Sequence, residues 1–76
     1  LLDEQHQDME ETVKQAIEDD EAKVSDLHVW AIGPNIHAAI VSVVSHQPES
    51  PTVYKERIQA RCQSLVHVTV EPLRCD

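Results

Sequence analysis

The chain has 76 residues and a formal charge of −8, from 14 acidic and 6 basic side chains. This length suffices for one domain, residues 1–76, and no apolar run approaches the roughly 20 residues that a membrane-spanning helix needs. The negative charge repels phosphate backbones, and Trp30 and Tyr54 alone make no base-stacking surface, which argues against nucleic-acid binding.

The first predicted element is a helix over residues 3–21. Its apolar side chains recur at spacings of three and four, which places them on one stripe: Met9, Val13, Ala16 and Ile17. Asp3 can cap the first turn. The acidic residues 18–21 suit the negative carboxyl end of a helix poorly, so we expect that end to fray.

Two strands, residues 24–32 and 36–46, are predicted to form a hairpin around Gly33, Pro34 and Asn35. If Ile32 faces Ile36 across the turn, the register of the whole pair is fixed. The expected pairs on the covered face are Leu27 with Val41 and Val29 with Ala39, and those on the other face are Asp26 with Ser42, His28 with Ile40 and Trp30 with Ala38.

A second helix is predicted over residues 51–65, since Ser50 is a good cap and Pro51 suits the first helical position. Its apolar stripe is Tyr54, Ile58, Cys62 and Leu65. A third strand follows over residues 66–71, with Val66, Val68 and Val70 alternating with His67, Thr69 and Glu71. Pro72 is expected to end it.

The element order is therefore α-β-β-α-β, an α+β class. A right-handed crossover between the second and third strands puts both helices on one face of a three-stranded mixed sheet. This open-faced two-layer sandwich resembles a ferredoxin-like, metallochaperone-like fold that lacks its first strand. The uncovered face carries Trp30, Ile40 and Val44 among polar residues, which predicts a homodimer interface there or at the edge beside it.

Two sequences resemble a known family. VSDLHVW at residues 24–30, with IGP at 32–34, resembles the first strand and turn of the C-terminal cytosolic domains of cation diffusion facilitators. HVTVE at residues 67–71 is similar to their last strand, and a late cysteine such as Cys75 is common there. Since the chain begins with Leu1 rather than Met, we expect it to be a segment of a longer protein.

The resemblance implies an efflux transporter for Zn²⁺, Co²⁺, Ni²⁺, Fe²⁺ or Mn²⁺, usually driven by proton exchange. The conducting site would lie in a membrane-embedded domain of the same polypeptide, with this tail on the cytoplasmic side. In the family the tail is a V-shaped homodimer. Metal bound at the dimer interface biases the arrangement of its two arms and thereby transport activity.

The sequence departs from the family at its usual ligand positions, where Ser25, Ser42 and Leu73 replace two histidines and a carboxylate. Glu71 remains, and His67 is near it, although a separation of four residues puts them about 13 Å apart along a strand. The candidate ligands for Zn, Co or Ni are His67, Glu71, His28 and Asp26, with Cys75 and His46 as alternatives. The alternative interpretation of these substitutions is that the domain binds no metal.

Other functions are less well supported by the sequence. A free-standing metallochaperone-like module would need a soft ligand pair such as Cys-x-x-Cys, and a small-molecule sensor would need a glycine-rich loop. The chain has neither, with a single glycine. No nucleophile stands beside a base in the sequence, so we expect no enzyme. The leading expectation is a non-catalytic dimerisation and regulatory domain.

Overall fold

The computed structural model describes residues 4–19 and 21–74. The elements in chain order are α1 Glu4–Ile17, β1 Ala22–Gly33, β2 Ile36–Ser45, α2 Pro51–Arg61 and β3 Leu65–Arg74. The sheet order is β1-β2-β3, with β1 antiparallel and β3 parallel to the central strand. Both helices pack on one face, α1 against β1 and α2 against β3, which confirms the predicted α+β sandwich. Neither of these helices is long and apolar enough to cross a bilayer.

The core lies between the helices and the covered face of the sheet. Its buried side chains come from every element, so the two helices and three strands form one apolar unit. The largest of them are Val13, Ile17, Val41, Val43, Tyr54, Ile58 and Leu65.

Helix α1 ends at Ile17, four residues before its predicted end, and β1 starts two residues early. The reason is a side-chain turn at Asp19. Its carboxylate accepts hydrogen bonds from the backbone N–H groups of Glu21 and Ala22, both at 2.8 Å. This arrangement offers the backbone an alternative to another helical turn.

The predicted hairpin register is confirmed from Asp26 to Trp30, but it is wrong at the turn. Gly33 rather than Ile32 pairs with Ile36, and Ile32 is an extra residue in a bulge. The turn places Asn35 at φ 58°, a left-handed conformation that asparagine tolerates well. A second irregularity leaves Ser25 without a directly opposed residue between Val24 and Asp26.

Helix α2 starts as predicted, with Ser50 accepting a hydrogen bond from the N–H of Val53 at 3.3 Å. It ends at Arg61, and the residue after it, Cys62, adopts an extended conformation. The helix is therefore shorter than the predicted span to residue 65. Leu65 contributes to the core as the first residue of β3.

Strand β3 continues through Pro72 to Arg74, so the prediction that Pro72 ends it is wrong. An edge strand tolerates proline because some of its N–H positions need no ladder partner. The predicted regular alternation, in which Val66 shares a face with Val68 and Val70, is also wrong at its first residue. A register shift opposite His37 and Ala38 makes Val66 the extra residue, and its side chain is 45% exposed.

Candidate functional site

The sheet face opposite the helices carries the residues that the sequence singled out; we call it the open face. Among the rows of paired residues that cross it from β1 through β2 to β3, three carry these residues. These rows are Asp26–Ser42–Glu71, His28–Ile40–Thr69 and Trp30–Ala38–His67. Polar residues fill the first row, Ile40 is the apolar residue of the second, and Trp30 and Ala38 are the apolar residues of the third, at the hairpin end.

Asp26 and His28 are the two candidate ligands that the structure brings together. They are two residues apart on β1, so they point to the same face, and Asp26 Oδ2 lies 3.2 Å from His28 Nε2. Both side chains are well exposed, at 63% and 67% respectively. The pair therefore presents one carboxylate and one imidazole to an incoming ion or partner without burying either.

His67 and Glu71 lie on the same face but on β3, with β2 between them and β1. Two strand spacings separate β1 from β3, about 10 Å in the hydrogen-bonding direction. Across residues 4–19 and 21–74, no three His, Cys, Asp or Glu side chains are grouped closely enough to hold a metal ion. A metal site that uses the Asp26–His28 pair needs further donors from outside this set.

Ser25 and Ser42 stand where the resemblance expects histidines, and the structure links them. The hydroxyl of Ser25 donates to the backbone carbonyl of Ser42 at 3.3 Å, across the bulge in β1. Leu73, at the third such position, is exposed on β3. The three substituted positions therefore contribute a cross-strand bond and apolar surface in place of ligands.

The remaining histidines and cysteines lie elsewhere. His46 is exposed just beyond the end of β2, and His37 is buried, on the covered side of β2. Cys62 is half-buried against the core, with its Sγ 3.4 Å from the Ser64 hydroxyl. Cys75, which was predicted as an alternative ligand, lies outside the described residues.

The apolar part of the open face is larger than the sequence predicted. Trp30 and Ile40 are 40% and 43% exposed, while Val44 is half-buried. Ala38, which lies between Trp30 and His67 in the third row, is only 4% exposed. Three exposed residues at the hairpin end extend this surface: Ile32, Ile36 and Val66.

Val66 escaped sequence reasoning because it is a bulge residue, and the bulge at Ile32 removes its predicted pairing with Ile36. Strict alternation puts Ile32 outward but pairs it with Ile36, and it puts Val66 inward with Val68 and Val70. A bulge adds one residue to a strand and shifts the side chains that follow. The glycine and proline beside Ile32 were the only sequence signal of an irregular strand end there.

The helical side carries one further electrostatic feature. The backbone N–H groups of Glu21 and Ala22 that bond to Asp19 hold the pKa of its carboxyl below its usual range. The guanidinium of Arg57 lies 5.6 Å from the centre of the Tyr54 ring. Asp19 lies in the connection between α1 and β1, and Tyr54 and Arg57 both lie on α2, so neither feature belongs to the open face.

The chain matches no family model, no curated protein and no solved structure. The features of the chain that bear on its function are therefore the residues of the open face and the sequences at residues 24–34 and 67–71.

Proposed function

We propose that this chain is the cytosolic dimerisation and regulatory domain of a divalent-cation efflux transporter of the cation diffusion facilitator type. One observation carries the proposal. The two sequences that resemble that family form β1 and β3, and their side chains Asp26, His28, His67 and Glu71 all lie on one uncovered sheet face. A surface with this chemistry suits divalent cations and a second copy rather than an anion.

The metal-binding part of the proposal starts from the Asp26–His28 pair. Its imidazole and carboxylate are donors that Zn²⁺, Co²⁺ and Ni²⁺ accept. A stable site needs two or more further donors, and His67 and Glu71 of a second copy are the matching residues on the same kind of face. Metal that bridges two copies would favour one relative arrangement of the pair, which is how binding here would regulate transport.

The dimerisation part starts from size and surface. A chain of 76 residues buries a small core, and domains of this size often gain stability from a second copy. Trp30 and Ile40 expose apolar area on the open face, and Val44 lies half-buried beside them. We propose a homodimer through this face or the strand edge beside it, attached to the membrane-embedded domain on the cytoplasmic side and without catalytic activity.

The test is a calorimetric titration of the metal-free chain with Zn²⁺, Co²⁺ and Ni²⁺, with mass measured in parallel by sedimentation equilibrium. We expect a dimer that binds metal saturably, at a whole or half ion per chain. A dimer that binds no metal would support the proposed dimerisation function and contradict the proposed regulation by metal. A monomer across the micromolar range that binds nothing would overturn the proposal.

A further inference from the structure

A cavity of about 330 Å³ lies where the first half of α1, the hairpin turn and the end of α2 meet. Its walls come from three distant parts of the chain: Asp8, Met9 and Thr12, then Asn35, then Cys62 and Ser64. These residues belong to α1, to the turn between β1 and β2, and to the connection between α2 and β3. The cavity is therefore separate from the open face and its Asp26–His28 pair.

The fold brings two sulfur-containing side chains to this cavity. The sequence has one methionine and two cysteines, and both Met9 and Cys62 line the cavity although they belong to different helical segments. The second cysteine, Cys75, lies outside the described residues. A search of the sequence for neighbouring soft ligands such as Cys-x-x-Cys misses the pair, because the packing of α1 against α2 brings it together.

Met9 has the freedom to act as a ligand. It was predicted on the apolar stripe of α1, and it is half-buried, but it lies outside the apolar core that its helix neighbour Val13 belongs to. A methionine side chain is unbranched and has three rotatable bonds, so its sulfur can move within a cavity at little cost. The thioether of Met9 is thus able to approach a ligand held by Cys62.

Cys62 offers a half-buried thiol on a fixed backbone. Its N–H donates to the Ile58 carbonyl at 3.0 Å, and its own carbonyl accepts from the Leu65 N–H at 3.2 Å. The Sγ atom lies 3.4 Å from the hydroxyl of Ser64, which can donate to the sulfur once the thiol has lost its proton. Cys62 also caps the carboxyl end of α2, where the helix dipole favours a bound cation.

The charge of the cavity favours a cation as well. Asp8 places a carboxylate among its lining residues, and none of the described residues that line it is basic. A thiolate and a thioether are soft donors, which select Cu(I) among the metals available to proteins. Zn²⁺ instead takes four ligands from Cys, His and carboxylate side chains, and three such side chains are not grouped anywhere in residues 4–19 and 21–74.

We propose that Met9 and Cys62 form a binding site for a soft monovalent metal ion, Cu(I), with Ag(I) as its redox-inactive analogue. On binding, the Cys62 thiol releases its proton to solvent and its sulfur bonds to the ion, whose oxidation state does not change. The Met9 sulfur is the second donor, and these ions are stable with as few as two sulfur ligands. The site lies within one chain, so it depends neither on a dimer nor on the proposed transport function.

The test is an anaerobic competition for Cu(I) between the reduced, metal-free chain and the chromophoric chelator bicinchoninate. We expect one Cu(I) per chain. Met9→Leu, which keeps the side-chain volume, should raise the Kd at least about tenfold, and Cys62→Ser should raise it further. Circular dichroism would show that both variants are folded. An unchanged Kd in Met9→Leu would overturn the two-sulfur site.

Two controls locate the ion. Cys75→Ser removes the other thiol and should leave the Kd for Cu(I) within about threefold, a change under 1 kcal/mol. Loss of binding in Cys75→Ser with normal binding in Cys62→Ser would assign the ion to Cys75 and overturn the proposal. His28→Ala should likewise leave Cu(I) binding unchanged while it weakens Zn²⁺ binding, so failure of this site and failure of the proposed function give different results.

A protection experiment on the original chain avoids any effect of substitution on folding. Alkylation by iodoacetamide requires the free thiolate, so bound Ag(I) should slow the alkylation of Cys62 at least about tenfold, as measured by mass spectrometry of its peptides. Cys75 should be alkylated at nearly the same rate with and without Ag(I). Equal protection of both cysteines, or protection of Cys75 alone, would overturn the site.

Discussion

The backbone N–H of Glu49 donates a hydrogen bond to the hydroxyl oxygen of Tyr54 at 3.1 Å. The ring of Tyr54 is otherwise enclosed in the core, with 1% of the residue exposed. A buried aromatic body with a polar tip can satisfy a backbone group at the surface of the core. This bond fastens the connection between β2 and α2 to the start of α2.

Tyr54→Phe removes only the hydroxyl and leaves the ring in the core. We expect the free energy of unfolding to fall by about 1 kcal/mol, because the half-buried Glu49 N–H loses its acceptor. Urea denaturation should show a lower midpoint with an unchanged slope. Tyr54→Ala, which also empties the ring site, should cost about 3–5 kcal/mol. Equal losses for the two variants would contradict the importance of ring packing.

Asp19 should make stability depend on acid pH. Its carboxylate accepts two backbone hydrogen bonds, which lower its pKa in the folded chain relative to the unfolded one. Because the pKa of this carboxyl is lower in the folded chain than in the unfolded chain, where it is about 3.9, ionisation stabilises the fold at pH values above that value. This stabilisation is lost as the pH falls through the pKa of the folded chain.

We therefore expect Asp19→Ala to have a lower melting temperature than the original chain at pH 7. The difference between the two melting temperatures should become smaller as the pH falls below about 4. Thermal melts from pH 7 to pH 2 would measure this. The control is Glu11→Gln, a change on the exposed surface of α1, whose melting temperature should stay close to that of the original chain at every pH. A constant gap for Asp19→Ala across the acid range would contradict the hydrogen-bonded carboxylate as its cause.

Ser50 caps α2 through the hydrogen bond that its hydroxyl accepts from the Val53 N–H. Ser50→Ala should lower the free energy of unfolding by about 1 kcal/mol, as measured by chemical denaturation. Ser50→Asp keeps an acceptor at the cap and adds a negative charge at the positive end of the helix, so it should retain most of the stability. If Ser50→Asp were as damaging as Ser50→Ala, the cap would not be the source of the loss.

His28→Ala should weaken Zn²⁺ or Co²⁺ binding by at least about tenfold, because it removes the imidazole of the Asp26–His28 pair. Competition with a chromophoric chelator would measure the affinity. His46→Ala is the matched control, since His46 is also exposed but lies beyond the end of β2. Loss of binding in His46→Ala with normal binding in His28→Ala would move the site away from the open face.

The pairing of β1 with β2 from Asp26 to Trp30 was predictable from residue alternation and the position of the turn. Placing Leu27 opposite Val41 and Val29 opposite Ala39 keeps apolar residues on one face, and a shift of one residue would expose all four. The same argument placed Asp26 and His28 together on the other face. These features follow from the alternation of apolar and polar residues along the two strands, which is visible in the sequence.

The bulges and element ends were not predictable in the same way. The bulge residues Ile32 and Val66 fit an ordinary strand pattern, and what displaces them is the pairing with a neighbouring strand. The early end of α1 depends on Asp19 turning onto backbone N–H groups further along the chain. Likewise, the separation of His67 from His28 depends on the strand order, which cannot be predicted from the residue types of the two strands.

The antiparallel and parallel halves of the sheet should also assemble at different times. The β1–β2 hairpin closes through the short turn at Gly33 and Asn35, whereas β3 can pair only after the chain has crossed over through α2. We expect the hairpin to form within microseconds and the docking of β3 to limit the folding rate. A nascent chain that ends before Leu65 would leave the apolar edge of β2 bare, so the last ten residues of the fold protect its central strand from aggregation.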